Sequence, residues 1–201
     1  MNETAKPRLS LILSVVAALL LCACSKAESE SPPLQGARLG GPFTLTDHNG
    51  RQVSDRDFEG KHRLVYFGFT YCPDVCPVDL QTIGQGLRKL EKSDPAVAAQ
   101  VQPIFITVDP QRDTPAVLKE YVKAFHPRLI GLTGSPDQIA SVVKAHGSYF
   151  ARQGEGGAKD YLVDHMRVVL LFGPKGEPIA IIPHDKGAEA LASELKRWVE
   201  A

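Results

Sequence analysis

The feature that most restricts the fold of this chain is an apolar run that ends in a cysteine pair. Arg63-Leu64-Val65-Tyr66-Phe67-Gly68-Phe69 leads through Thr70-Tyr71 into Cys72-Pro73-Asp74-Val75-Cys76-Pro77. The run reads as a buried strand, and Val78, Leu80, Ile83, Leu87 and Leu90 then recur at near-helical spacing as far as Ser93. Both cysteines therefore fall between the carboxyl end of a strand and the start of a helix, where α/β domains place their reactive groups. A residue before proline is pushed out of the helical region, so Cys76 is expected near the N-cap with Pro77 as first helical residue and Cys72 on the loop above. Free N–H groups and the partial positive charge at a helix start stabilise thiolates. Both sulfurs are thus expected to lose their protons more readily than ordinary thiols, which suits redox chemistry and metal binding alike.

The remaining chain supplies a matching frame. Phe43-Thr44-Leu45-Thr46 and Arg51-Gln52-Val53 flank Asp47-His48-Asn49-Gly50, a hairpin pattern in which His48 reads as a solvated turn residue. Residues 101–109 form a second buried strand, with Pro95 and its neighbouring alanines as plain connection before it. Thr114-Pro115 and Ser135-Pro136 each open a helix with a cap and a proline at the first turn, on either side of a short strand at 129–132. Residues 148–151 and 160–163 pair around a Gly-rich tip (Gly154, Gly156, Gly157). Residues 167–172 and 178–182 pair around a Gly-Pro-Lys-Gly turn, and 187–200 close the chain as an amphipathic helix with Leu191, Leu195 and Trp198 on one face. This order predicts an α/β, thioredoxin-like fold with an N-terminal β-hairpin and insertions.

Lys6 and Arg8 precede a 13-residue apolar run at 9–21, short for a membrane span, which needs roughly 20 residues. The run ends in Leu21-Cys22-Ala23-Cys24, the pattern of a lipoprotein signal with Cys24 as the lipidated residue. Residues 1–24 are therefore expected to be a lipoprotein-type signal, and 25–40, which include two prolines, a flexible tether. Residues 41–201 then form the folded domain, held on the outer side of a cell membrane, in the periplasm or an equivalent space. The whole chain carries 23 basic and 23 acidic residues, and the part after the leader 21 and 22. That balance excludes a general polyanion binder, so no nucleic-acid partner is expected. The folded part, after Cys24, holds only Cys72 and Cys76. A domain of this size needs no disulfide staple, and so small a loop gains little from one.

Three residues separate these cysteines, where thioredoxin-type oxidoreductases have two. The longer loop lets two thiolates face one ion. Soft thiolates favour Cu(I), and imidazole suits several transition metals. The candidates for a third donor are His48, His62, His126, His146, His165 and His184. His165 stands out, because in a thioredoxin-like domain the loop ahead of the strand at 167–172 faces the cysteine loop. Asp164 either orients that imidazole or lies on the surface, and Met166 is expected to pack in the core rather than ligate.

Three segments together resemble the Sco/SenC family: Phe69-Thr70-Tyr71-Cys72-Pro73-Asp74-Val75-Cys76-Pro77, Val108-Asp109-Pro110-Gln111-Arg112-Asp113-Thr114-Pro115 and Tyr161-Leu162-Val163-Asp164-His165. The resemblance runs from about Gly41 to the C-terminus; Met166 departs from the Ser or Thr often found after the histidine. It implies a membrane-tethered copper chaperone that binds Cu(I), Cu(II) or both through Cys72, Cys76 and His165. It further implies delivery to the dinuclear copper site of cytochrome c oxidase. Implied partners are the oxidase subunit that carries that site, a thiol reductant, and another periplasmic copper carrier as a candidate donor. A second reading makes Cys72 and Cys76 the redox-active, catalytic pair of a thiol–disulfide reductase that keeps the oxidase's copper-ligand cysteines reduced. A peroxidase is a third, poorly served by a pair so close. The acids of the Asp109–Asp113 loop either form a docking surface or position the cysteine loop, and the residues alone leave both open.

Overall fold

The run at 63–69 does become an interior strand, β3 (His62–Gly68), buried along its whole length. The computed structural model describes residues 30–154 and 161–200. The leader with Cys22 and Cys24, and the hairpin tip from 155 to 160, lie outside the described residues. Strand β3 continues into α1 (Val75–Ser93) and, after a short α2 (Pro95–Gln100), returns as β4 (Val101–Thr107), parallel to β3 in register from His62↔Val101 to Gly68↔Thr107. Helix α3 (Pro115–Phe125) leads to β5 (Ile130–Thr133), parallel to β4, and α4 (Pro136–Ala145) follows. Strands β8 (Val169–Phe172) and β9 (Pro178–Ile181) add antiparallel to β3's other side, and α5 (Ala188–Val199) closes the chain. The hairpin β1 (Thr44–Asp47) and β2 (Gln52–Ser54) joins the far edge through β5, so the order is β2-β1-β5-β4-β3-β8-β9. A separate two-stranded sheet holds β6 (Phe150–Gln153) and β7 (Leu162–His165). This is the thioredoxin-like arrangement expected from the element order.

Strand alternation divides the core. Leu64, Tyr66, Phe105, Val169 and Leu171 face α1, α3 and α5, while Val65, Phe67, Ile104, Ile106, Leu170 and Phe172 face α4 and the N-terminal segment. The caps read from sequence are in place: Thr114 accepts from the Val117 N–H, and Ser135 forms a reciprocal capping box with Gln138.

Three expectations are corrected. Pro95 belongs to a helix, because Asp94 caps it by accepting from the Val97 N–H and Pro95 needs no N–H in its first turn. The tether ends before Gly41: the Leu34 N–H donates to the Ile179 carbonyl at 2.9 Å and the Gly40 N–H to that of Ala145 at 2.8 Å. Leu34 and Leu39 pack on the α4-side core, two apolar residues sufficing to strap a polar stretch down. His48 is half-buried rather than solvated, with Nδ1 accepting from the Gly131 N–H at 3.0 Å, which fastens the hairpin turn to β5.

Candidate metal centre

The end of β3 is shaped around one sulfur. A Cβ on Gly68 would lie 2.9 Å from Cys76 Sγ, so only glycine leaves room for it. Cys76 is fully buried, Cys72 half-buried, and both are free thiols. Helix α1 starts earlier than its proline suggests: Asp74 is the cap residue, and Cys76 and Pro77 occupy the second and third helical positions. A proline is tolerated there because N–H groups of the first turn have no intrahelical acceptor to lose. The Cys76 N–H points at Cys72 Sγ, 3.5 Å away, and the Cys72 N–H donates to the Phe69 carbonyl at 3.3 Å.

The expected ease of deprotonation is not found at Cys76. Burial pushes its thiol up to about 12 and outweighs the polar groups that oppose it, the Phe69 backbone and the Tyr66 side chain. An uncompensated thiolate is disfavoured in so dry a place. A bound cation would supply the missing charge.

His165 ends β7 and completes the group. The ligand atoms of Cys72, Cys76 and His165 all lie within 4.8 Å of one another, and among the described residues no other His, Cys, Asp or Glu group offers such a set. Nε2 is 3.2 Å from Cys76 Sγ. Nδ1 lies 3.3 Å from the Met166 carbonyl, which can only accept, so the proton sits on Nδ1 and the Nε2 lone pair faces the sulfurs. Burial lowers the imidazole's proton affinity, which keeps it neutral at pH 7. The Tyr66 and Phe69 rings stand perpendicular to it, with centroids 6.2 and 6.0 Å away. Bonds of about 2.3 Å to sulfur and about 2.0 Å to nitrogen, as at zinc, put trigonal donors roughly 3.7–4.0 Å apart. The Cys76–His165 pair thus needs to open by only about half an ångström to admit an ion. The donors fit a soft metal.

The other histidines serve elsewhere. His126 lies 3.4 Å from Glu91, His146 Nδ1 contacts the Val142 carbonyl at 2.7 Å, and His62 is buried beside Glu177. Asp164 does not orient His165. It is exposed and takes the Gln153 amide, so the Met166 carbonyl has that role. Met166 is half-buried in the link between β7 and β8 rather than packed in the core. The acids of the β4–α3 loop turn inward: Asp113 accepts from Thr70 and Thr107, and Asp109 from Tyr161. Of the two roles left open for this loop, the geometry supports positioning.

Sequence reasoning missed Asp79. It lies on α1 three residues after Cys76, is 3% exposed, and takes both Nε and Nη2 of Arg167 at 3.0 and 2.7 Å. It also accepts from the Tyr66 hydroxyl at 2.8 Å and lies 3.4 Å from His184 Nε2. An acid one helical turn after a candidate ligand was the available signal. Burial raises the Asp79 carboxyl, but hydrogen bonds from His184, Arg167 and Tyr66 outweigh it and hold the group well below the usual carboxylate range. A lowered value means stability that is present above the unfolded pKa, about 3.9, and is lost as pH falls below it. Melting temperature is therefore expected to drop as pH falls from about 4 toward 2, with a shallower drop in Asp79→Asn; equal slopes in thermal melts across that range would count against the assignment.

The comparisons with known proteins can be set beside this geometry. The family model SCO1/SenC matches residues 31–200. The bovine (Bos taurus) mitochondrial protein SCO2 homolog is 41% identical over 177 residues, covering 88% of this chain and 66% of its own length. Yeast (Saccharomyces cerevisiae) mitochondrial SCO2 is 40% identical over 164 residues, 81% of this chain and 54% of its own length. The chain thus spans two thirds or less of these relatives. The structure of Bradyrhizobium japonicum ScoI with copper bound superposes with a TM-score of 0.72 at 41% identity, over 80% of this chain and 99% of the other. Yeast Sco1 with copper bound gives 0.75 at 36% identity, over 81% and 89%. A free cysteine pair with three intervening residues, and a histidine brought beside it by a separate hairpin, is thus found in a chain that belongs to the SCO1/SenC family.

Proposed function

We propose that this protein is a membrane-tethered copper chaperone, binding copper through Cys72, Cys76 and His165 and delivering it to the dinuclear copper site of cytochrome c oxidase during assembly. The observation that carries the reading is the convergence of two free thiols and a neutral imidazole within 4.8 Å. Relatives of similar sequence and fold with copper bound support the choice of metal. Release is accounted for by the unequal burial of the sulfurs. Cys72 is half-buried and lines a groove with Phe69, Tyr149, Leu162 and Arg167, whereas Cys76 is fully buried, so an incoming thiolate can displace Cys72 first while Cys76 and His165 still hold the ion. Tyr71, Tyr149 and Leu162 around it are more than half exposed, an apolar rim on which a recipient can sit. Binding requires reduced thiols, so a reductant must maintain the pair in an oxidising compartment.

The test is an anaerobic copper titration of the reduced full-length chain in detergent, followed by X-ray absorption at the copper edge. One tightly held copper with two sulfur neighbours and one nitrogen is expected. Absence of binding with both thiols shown to be reduced would sink the proposal.

The pairing of a half-buried with a fully buried cysteine also favours a second reading. In thiol–disulfide exchange Cys72 would attack a partner disulfide and Cys76 would resolve the mixed disulfide, leaving two partner thiols and an oxidised Cys72–Cys76 pair. Attachment is proposed at lipidated Cys24, which follows the apolar run at 9–21 in the lipoprotein-signal pattern Leu21-Cys22-Ala23-Cys24. Mass spectrometry of the membrane-extracted chain is expected to find Cys24 as the first residue, carrying lipid; a chain that still begins with the residues before Cys24 and carries no lipid would leave the apolar run at 9–21 as the anchor.

A further inference from the structure

His165 is not carried by the central sheet. Strands β6 and β7 pair only with each other among the described strands, so no backbone ladder fixes the imidazole relative to Cys76 at the β3–α1 junction. Two side-chain contacts bracket it instead. Four residues before it, Tyr161 is 4% exposed and donates its hydroxyl to Asp109 Oδ1 at 2.5 Å. Asp109 lies just past β4, is itself 3% exposed, pairs with Arg112, and has its own N–H bound to Thr107 Oγ1 at 2.9 Å. The Arg112 and Arg152 guanidinium groups lie 3.7 and 3.8 Å from the Tyr161 ring centroid, which clamps the ring as well as its hydroxyl. Two residues after His165, Arg167 makes its two-pronged contact with Asp79 on α1, the helix that carries Cys76. Such fork-to-carboxylate pairs fix orientation as well as distance.

We propose that the Tyr161–Asp109 and Arg167–Asp79 pairs are positioning contacts which hold the His165 imidazole against the two sulfurs and set metal affinity through that residue. The proposal rests on His165 being a ligand. The physical reason is the short lever between the fixed points. With the chain pinned four residues before and two after, the imidazole keeps its place without a bound ion, and binding need not order it. Residues that orient a metal ligand typically cost 10–100-fold in affinity when lost. Pairs that merely stabilise the fold would have no reason to act through one donor.

The experiment uses the reduced full-length chain and copper(I) in competition with a chromophoric chelator. Tyr161→Phe and Arg167→Gln are each expected to weaken binding about tenfold, and Arg167→Lys to recover part of that loss. In a His165→Ala background neither substitution is expected to change affinity, because the group through which it acts is gone. Arg167 is half exposed and Tyr161→Phe keeps the ring, so both variants are expected to fold. A second readout needs no metal: amide hydrogen exchange in β7 should quicken about tenfold in both variants while β3 and α1 exchange as in the wild type. Equal affinity losses with and without His165, or wild-type affinity and exchange in both variants, overturn the proposal. If the wild-type chain and His165→Ala bind copper equally, the ligand reading is what fails, and unchanged β7 exchange then removes the positioning contacts as well.

Discussion

His165→Ala is expected to weaken copper binding by more than the roughly 10–100-fold that follows loss of a group merely supporting a ligand. The imidazole is the only nitrogen in the proposed donor set, and its Nε2 already lies 3.2 Å from Cys76 Sγ. Without it an ion keeps only two sulfurs, that of half-buried Cys72 and that of buried Cys76. The substitution should leave the thiol pair chemically able. Cys72 keeps its hydrogen bond to the Phe69 carbonyl through its N–H, and Cys76 its place beneath Gly68. Reduction of a model disulfide by the dithiol is therefore expected to proceed at near the wild-type rate. Measuring both properties on one preparation separates the two readings of the site. Copper affinity unchanged by the substitution would remove His165 from the donor set. A disulfide-reduction rate that collapses with it would tie the histidine to exchange chemistry instead.

The sequence made most of the frame legible, and the reasons are local. Strand β3, the alternation at its partners and the caps at Thr114 and Ser135 rest on neighbouring residues, so reading a few positions at a time suffices. The grouping of Cys72, Cys76 and His165 was legible too, because the cysteine spacing and the place of His165 in the element order both point to one corner of the fold. What stayed hidden depends on distant contacts. Asp79 and Arg167 are 88 positions apart, and Thr70 and Asp113 are 43, so no window of sequence shows either pair. The acid–base character of Cys76 was misread for a related reason. A helix start is visible in the sequence, whereas the complete burial that outweighs it is made by β3, α1 and the β7 end together. Leu34 and Leu39 were passed over because two apolar residues in a polar stretch make no periodic pattern.

Asp113→Ala is expected to be the most destabilising single substitution in the loop after β4. Asp113 is fully buried and accepts three hydrogen bonds: from the Thr70 N–H at 3.0 Å, the Thr70 hydroxyl at 2.6 Å and the Thr107 hydroxyl at 2.6 Å. The parallel pairing of β3 and β4 ends at Gly68↔Thr107, with one further bond from the Val108 N–H to the Gly68 carbonyl. Past that point the chain toward Cys72 has no ladder partner, and the Asp113 carboxylate takes over the join. Alanine leaves three polar groups without an acceptor, at about 1–3 kcal/mol for each that water cannot reach. Thr70 is only partly buried, so the total should fall near 3–5 kcal/mol. That corresponds to a melting temperature lower by roughly 10 °C for a domain of this length. Burial pushes the Asp113 carboxyl above its usual value, so the site tolerates a neutral group and Asp113→Asn should recover much of the loss. Because the clamp grips the residue two places before Cys72, the alanine variant should also loosen that thiol, seen as faster alkylation of Cys72 in the folded protein. A variant that melts with the wild type and alkylates no faster would show that the β3–β4 ladder alone holds the cysteine loop.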